Sequence, residues 1–374
     1  MTYILDTIRV PCGKKGGIYR NVLPEELTAF LLKKLKERND FFNTDKAELI
    51  LGNSIGTLGN MARNAALRAG FSETFKATTL DFQCGGTYDS LRLGRAVCLS
   101  ELNDFAIIGG MESNSLMPLR QYVPNDPRYI SENDRIQVAE FSPYHSNDLH
   151  KAAEKLANDY FLEKEEMLNW TIRSHQKATR FSVTEVYKQF VLPFFENHEK
   201  DEMIRPGINH EFLQKTASKS LVDRTNTAHY HDGAGLALLA SEHTVEQYGI
   251  KPLARVRDVK IIGLSPDKAP LGCILAAEEL LRSQQLKIDT IDLFEINESF
   301  AAKPLAFMKH FGIREEQMNV FGGNLAMGHP YAASGIINIL NMILALKEKN
   351  LKFGLVTAGI AGGYGAAVLL ENVS

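Results

Sequence analysis

TTLDFQCGGTYDSLRLGRAVCLSELNDFAIIGGMES, residues 78–113, reads as a short strand, a turn bearing a cysteine and two glycines, a helix, and a buried apolar strand closed by glycines. Toward the N-terminus the same grammar holds. YILDTIRV (3–10), the amphipathic PEELTAFLLKKLKER (24–38), AELILGNSI (47–55) and GNMARNAALRAG (59–70) read as strand, helix, strand, helix. Such alternation predicts an α/β layered fold with a largely parallel sheet.

Beyond residue 114 the texture changes. YVPNDPRYISEND (122–134) and HKAAEKLANDYFLEKEEMLNWTIRSHQKA (150–178) are polar, proline-containing or helix-prone, as expected of an inserted or lid-like region. The only tryptophan, Trp170, falls there at a helical apolar position and reads as core packing. The α/β pattern returns with GAGLALLAS (233–241), ARVRDVKIIGLS (254–265), LGCILAAEELLRSQ (271–284), IDLFEI (291–296) and a helix beginning in NESFAAKPLAFMKHF (297–311). The end of the chain echoes its first half. GHPYAASG (328–335) opens a long helix that leads to FGLVTAGIAGG (353–363), as QCGG (83–86) opens one that leads to FAIIGGMES (105–113). A duplication is expected, with residues 1–114 as the first half, 115–225 inserted, 226–255 returning to the first half and 256–374 forming the second.

Composition bounds the function. A chain of 374 residues exceeds the size of a single core, and 44% hydrophobic with 23% charged residues is an ordinary globular mix. Its 42 basic and 45 acidic residues leave a net charge of −3, which provides no general field for nucleic acid or an anionic membrane. No stretch resembles a signal peptide or a bilayer-spanning run, so the protein is expected in the cytoplasm. The four cysteines (Cys12, Cys84, Cys98, Cys273) form no C-x-x-C pair, so neither a metal site nor a redox dithiol is expected.

Cys84 is the sharpest candidate for chemistry. It follows a strand and precedes Gly85, Gly86 and a helix expected near Thr87, where unpaired amides and the helix dipole favour thiolate over thiol. His329 lies in a glycine-rich loop equivalent to that of Cys84 in the other half. Imidazole there can take and return a proton near neutral pH, although a histidine bonded to a loop carbonyl would look the same. Asn297, at a strand end, is either a helix cap or an amide that orients a water or donates to an oxyanion; spacing does not separate the two. The glycines at 359, 362, 363 and 365 form a bare turn or aim amides at a thioester oxygen.

Together these segments resemble the thiolases over nearly the whole chain and in the expected order. RVPCGKKGG (9–17), GNSIGTLGNMARNAALRAG (52–70), QCGG (83–86), IIGGMESNS (107–115), SHQKA (174–178), NTAHYHDGAGLALL (226–239), INESFAA (296–302) and LAMGHPYAASG (325–335) each look like a motif of that family. The resemblance implies a five-layered α-β-α-β-α fold of two similar halves with an inserted loop domain, assembled as a homodimer or homotetramer. It implies that Cys84 is acylated, that His329 activates it, and that Asn297 with His329 holds a catalytic water in one oxyanion hole. The amides of Cys84 and Ala361 would make a second hole. Coenzyme A would be a substrate, as its thioester, rather than a bound cofactor, and would lie along the region from Gly263 to Leu271, with Ser265 and Leu271 as contacts.

Departures from the family pattern matter as much. The family's last motif is C-x-G-G-G-x-G, and here Gly359 stands where its cysteine would be, removing a group that transfers the α-proton in carbon–carbon chemistry. A general base is worth typically ~100 to 10,000-fold in rate. Asp81 and Gly86-Thr87 replace the common asparagine and serine-glycine around the nucleophile. Three functional expectations follow. The first is an acyl-CoA C-acyltransferase of the acetyl-CoA acetyltransferase type, with Tyr364 or a water in the cysteine's place. The second is a decarboxylating, ketosynthase-like condensing enzyme. The third is a protein that acylates and deacylates, or binds acyl-CoA, without carbon–carbon chemistry. A nicotinamide-dependent dehydrogenase, the other class compatible with a layered α/β chain, lacks a G-x-G-x-x-G after its first strand.

Overall fold

The computed structural model describes residues 1–56, 59–100, 102–136 and 149–373. The first half contains β1 (Thr2–Arg9), the two-residue β2 (Gly13–Lys14), α1 (Pro24–Arg38), β3 (Ala47–Gly52), α2 (Met61–Arg68), β4 (Lys76–Leu80), α3 (Gly86–Leu99) and β5 (Phe105–Glu112). The inserted region holds α4 (Leu149–Asp159), α5 (Lys164–Phe181), α6 (Glu185–Phe190) and α7 (His210–Gln214); its residues 137–148 lie outside the described residues. Then come β6 (His231–Ser241), α8 (Glu242–Tyr248) and β7 (Ala254–Gly263). The remainder is α9 (Gly272–Ser283), β8 (Leu293–Ile296), α10 (Ala302–Phe311), the one-turn α11 (Asn324–Met327), α12 (Ser334–Lys349), β9 (Phe353–Ile360) and β10 (Tyr364–Asn372).

Strand order makes the duplication visible. Neighbouring strands run β4-β3-β5-β6-β1-β7-β10-β9-β8, with β2 paired to β6. In the first half β3 is parallel to β5, β5 antiparallel to β6, and β6 antiparallel to β1. The second half repeats this with β8, β9, β10 and β7. Even β4, parallel to β3, has its counterpart in a parallel bridge between Phe294 of β8 and Met318. The pairing is therefore mixed rather than largely parallel as the alternation predicted. Helical crossovers put β3 and β5 side by side in parallel, but β9 and β10 are joined by the tight turn Ala361–Gly363, in which Gly362 and Gly363 both have positive φ, and a hairpin is antiparallel by necessity.

Side-chain alternation shows why both faces of each half-sheet are covered. In β5, Phe105, Ile107 and Met111 join α1 and α2 in one core, while Ala106 and Ile108 face the middle of the molecule. In β9, Val356, Ala358 and Ile360 face that same middle, and Leu355 packs outward in the core of α9 and α10. The middle is filled by α3 and α12, which completes the five layers in the order α-β-α-β-α. Helix α12 (SGIINILNMILALKEK) is apolar on every side, and residues 334–346 are all buried, as such a helix must be. Each fully buried Leu or Ile there contributes about 1.5–3 kcal/mol.

The two middle helices meet at their N-termini closely enough to exclude side chains. A Cβ on Gly86 would lie 2.7 Å from the Cβ of Ala332, and one on Gly335 would lie 2.6 Å from the Cβ of Thr87. The Thr87 hydroxyl donates to the Ala332 carbonyl at 2.7 Å, and the Tyr88 hydroxyl reaches Asn338 Oδ1 at 3.2 Å. The inserted region is fastened to β1 by a buried fork of Arg9 on Asp201 at 2.6 and 2.8 Å, with the Tyr187 hydroxyl and the Cys12 amide donating to the same carboxylate. That full set of donors compensates the burial of both charges.

Candidate functional site

Each half presents a single 3-10 turn that opens its middle helix. Gln83–Gly85 leads into α3, and Tyr331–Ala333 leads into α12. The first residue of each turn, Gln83 at φ +50° and Tyr331 at φ +26°, has a positive φ that a side chain rarely adopts, so the resemblance of the two loops extends to their strain. Asp81 steadies the first: its Oδ1 accepts from the Gln83 amide at 3.0 Å and from Gln83 Nε2 at 3.1 Å. By position in the turn Cys84 corresponds to Ala332, and His329 lies three residues earlier.

Cys84 and His329, one from each half, line the same cavity of about 380 Å³, together with Tyr331, His150, Gly359 and Ala361. The Cys84 side chain is half-buried. Burial raises its pKa; the Lys303 charge and the amides of Ala361 and of Cys84 itself pull it back without cancelling the effect. The sequence led us to expect a resting thiolate. The structure instead supports a resting thiol, because loss of hydration outweighs the amides beside the sulfur.

His329 is buried, and its pKa is pushed down to about 3 by burial first, then by the positive charge of Lys303 and by His231. It is therefore neutral throughout the working range. Its Nδ1 lies 2.8 Å from the Ser334 hydroxyl, and its backbone N–H lies 3.1 Å from His231 Nδ1, a nitrogen that is 2.6 Å from the His229 carbonyl oxygen. In the tautomer that donates Nδ1–H to Ser334, Nε2 keeps the lone pair a thiol proton needs. The His231 ring is also held neutral, with its pKa lowered to about 4 by burial, and its Nε2 has no hydrogen-bond partner among the described residues.

Asn297 lies deeper. It is fully buried after β8 and is absent from the cavity wall, which Ser299 and Phe300 form. Its Oδ1 accepts from Lys303 Nζ at 3.4 Å, and its Nδ2 faces Asn338 Oδ1 at 3.5 Å. Glu298 beside it accepts from Trp170 Nε1 (2.8 Å), the Ser174 hydroxyl (2.7 Å), Asn319 Nδ2 (2.9 Å) and the Leu325 amide (3.3 Å). Trp170 is thus core, as its spacing suggested, and also ties α5 to the segment carrying Asn297. Ser265 and Leu271 flank the cavity rather than lining it; Ala269 and Pro270 between them form its wall.

Gly359 is closed off. A Cβ built there would lie 2.4 Å from the Ala269 carbonyl oxygen and 2.8 Å from that of Pro270, so main chain occupies the volume a cysteine side chain would need. Tyr364, the other group considered for that role, packs against Phe82 with ring centroids 4.7 Å apart and planes tilted by 45°, and is absent from the cavity wall.

Three residues escaped the sequence reading. Lys303 is fully buried and donates to Ser299 Oγ (3.0 Å) and the Gly359 carbonyl (3.2 Å) as well as to Asn297. A lone cation inside FAAKPLAF was the available signal, since buried lysines are rare. Glu112 closes β5; its carboxylate accepts from the Ser54 and Ile55 amides at 3.1 and 3.0 Å and from the Ala332 amide at 3.5 Å, bracing the opposite loop from below. Burial drives its pKa up to about 8 against those three amides. His150 faces Phe300 across 5.4 Å and places its ring on the cavity wall, which no motif announced.

Comparison with known proteins agrees with this architecture. Residues 2–243 match the family model described as thiolase, N-terminal domain, and residues 250–372 match thiolase, C-terminal domain. The chain is similar to a 3-ketoacyl-CoA thiolase of Photobacterium profundum, with 31% identity over 99% of both chains. It is also similar to an acetyl-CoA acetyltransferase of Chromobacterium violaceum, with 30% identity over 97% of both. The crystal structure of the Bacillus anthracis acetyl-CoA acetyltransferase superposes with a TM-score of 0.92 at 27% identity, covering 100% of this chain and 98% of that one.

Proposed function

The chain belongs to the thiolase family and is a thiolase-type acyltransferase acting on coenzyme A thioesters, and from that premise we propose that acyl transfer runs through Cys84. One observation carries this reading: a thiol and a neutral imidazole, contributed by opposite halves, open onto one cavity while amides of both halves converge on the sulfur.

The thioester carbonyl enters beside Cys84. His329 Nε2 takes the thiol proton as sulfur attacks, and the negative charge on the carbonyl oxygen is met by the amides of Cys84 and Ala361. As the tetrahedral intermediate collapses, the bond to the CoA sulfur breaks and His329 returns its proton to the departing thiolate, leaving acyl-Cys84. Asn297, held from behind by Lys303, serves the second half-reaction through a water, since the amide itself is not on the cavity wall. The coenzyme A moiety leaves the cavity past Ala269 and Pro270, with Ser265 and Leu271 at its edge. Among the described residues no helix is long and apolar enough to cross a membrane. A cytoplasmic enzyme working as a homodimer or homotetramer is the reading the family supports.

A second reading is favoured by Gly359 alone. With main chain in place of a side chain there, a donor that generates its carbanion by losing carbon dioxide needs no proton-abstracting thiol. Intact-mass analysis after mixing with acetyl-CoA should show one acetyl group, on Cys84. Product analysis then divides the readings: acetoacetyl-CoA from acetyl-CoA alone supports the first, and product only on adding malonyl-CoA supports the second. A protein never acetylated at Cys84 would sink both.

A further inference from the structure

Lys303 is the second residue of α10, where the helix dipole already opposes positive charge. Its ammonium is fully buried, and among the described residues its hydrogen-bond acceptors are all neutral: Asn297 Oδ1, Ser299 Oγ and the Gly359 carbonyl. The nearby Glu298 carboxylate spends its oxygens on Trp170, Ser174, Asn319 and Leu325. Such a cation is costly unless a negative charge appears nearby. The segment Gly359–Ala361 shows where. Lys303 holds it from the interior by the Gly359 carbonyl, and Ala361 turns its amide toward the Cys84 sulfur on the cavity side.

We propose that Lys303 is a positioning residue of the acyl-transfer site, whose fixed charge behind Gly359 compensates the thiolate formed at Cys84 and pins the Asn297 amide. The second role follows from the donor inventory. An ammonium has no acceptor, so Asn297 must present Oδ1 to it and keep Nδ2 as the donor on its other side, toward Asn338, whereas an amide at position 303 would allow either orientation. The charged and titratable groups facing Lys303 are Cys84 from the first loop, Cys273 from α9, Glu298 ahead of α10, and His329 from the second loop. Only Cys84 among the two thiols opens onto the cavity. Burial pulls the Lys303 pKa down while Cys273, Cys84 and Glu298 push it back up, and no proton transfer is routed through it.

This inference rests on Cys84 being the nucleophile, and its test is independent of turnover. Alkylation of Cys84 by iodoacetamide, with Cys84→Ala as blank, is followed against pH in the native enzyme, in Lys303→Gln and in Lys303→Met. Both variants should move the alkylation midpoint up by about one pH unit, and Lys303→Gln should lower kcat more than it raises KM. Folded variants with an unmoved midpoint overturn the proposal. Should neither variant fold, ε-13C-lysine spectra of the native enzyme before and after alkylation decide it. Linkage is reciprocal, so one buried lysine must titrate at lower pH once Cys84 is capped; no lysine doing so is equally fatal. Full turnover in Cys84→Ala would instead overturn the nucleophile assignment, leaving the alkylation result to stand by itself.

Discussion

The loop at Cys84 and the loop at His329 have the same backbone plan and opposite surroundings. Both are 3-10 turns with a strained first residue opening a middle helix. The first leaves its functional side chain half exposed at the cavity, with Gly85 packed so tightly on Ile360 that a Cβ would lie 2.5 Å from its Cδ1. The second buries its histidine beneath Ser334 and His231 and hands all but the last three residues of its helix to the core. Each loop is braced by the last residue of a strand from the other half, Ile360 under Gly85 and Glu112 under Ala332. Duplication therefore supplies position, and divergence supplies chemistry: in the proposed mechanism one copy offers a nucleophile to substrate while the other holds a base rigid.

The hardest blow to that division of labour is to remove one partner. Cys84→Ala should cut acyl transfer by at least about 1,000-fold, measured as kcat. His329→Ala should cost about 100- to 10,000-fold at neutral pH while leaving slow acylation that speeds up with pH. Equal losses and identical pH profiles in the two variants would contradict the split. Gly359→Cys sharpens the comparison next. Because its Cβ meets the Ala269 carbonyl, it should lower stability by about 1–3 kcal/mol, read by denaturant melts, with no gain in acetoacetyl-CoA thiolysis.

Two smaller tests probe the support of the histidine side. His231 titrates near 4 when folded and near 6.5 when unfolded. Between those values only the unfolded chain takes up the proton, so stability should fall as pH falls through that window, at about 1.4 kcal/mol per unit for this residue. His231→Asn should flatten the slope of stability against pH; an unchanged slope would show that the ring is hydrated and ordinary. Trp170→Phe removes one of four donors to Glu298 and should cost about 1.5 kcal/mol, with a modest fall in kcat and an unaltered Cys84 alkylation rate.

Much of this was legible in the sequence because glycines, a loop histidine and apolar runs leave local marks. QCGG and GHPYAASG announced both loops, and the echo between them announced the repeat. Strand direction was not legible, since the antiparallel return of β6 and β10 depends on chain reversals outside the strands themselves. The depth of Asn297 and the protonation of Cys84 were missed for a related reason: burial is set by what other segments stack on a residue, and here it outweighed the amide donors that the local pattern revealed. Lys303 left a mark that apolar neighbours made easy to pass over.

The carbonyls of Ala269 and Pro270 pressed against Gly359 have an implication for anyone redesigning this enzyme. The bend at 266–271 and the strand end at 359–361 share one volume, so neither can be edited alone: a thiol at 359 requires that bend to retreat, and a retreating bend redraws the doorway through which pantetheine would pass. On the proposed path for coenzyme A, catalytic repertoire and substrate entry are, at that single glycine, the same structural variable.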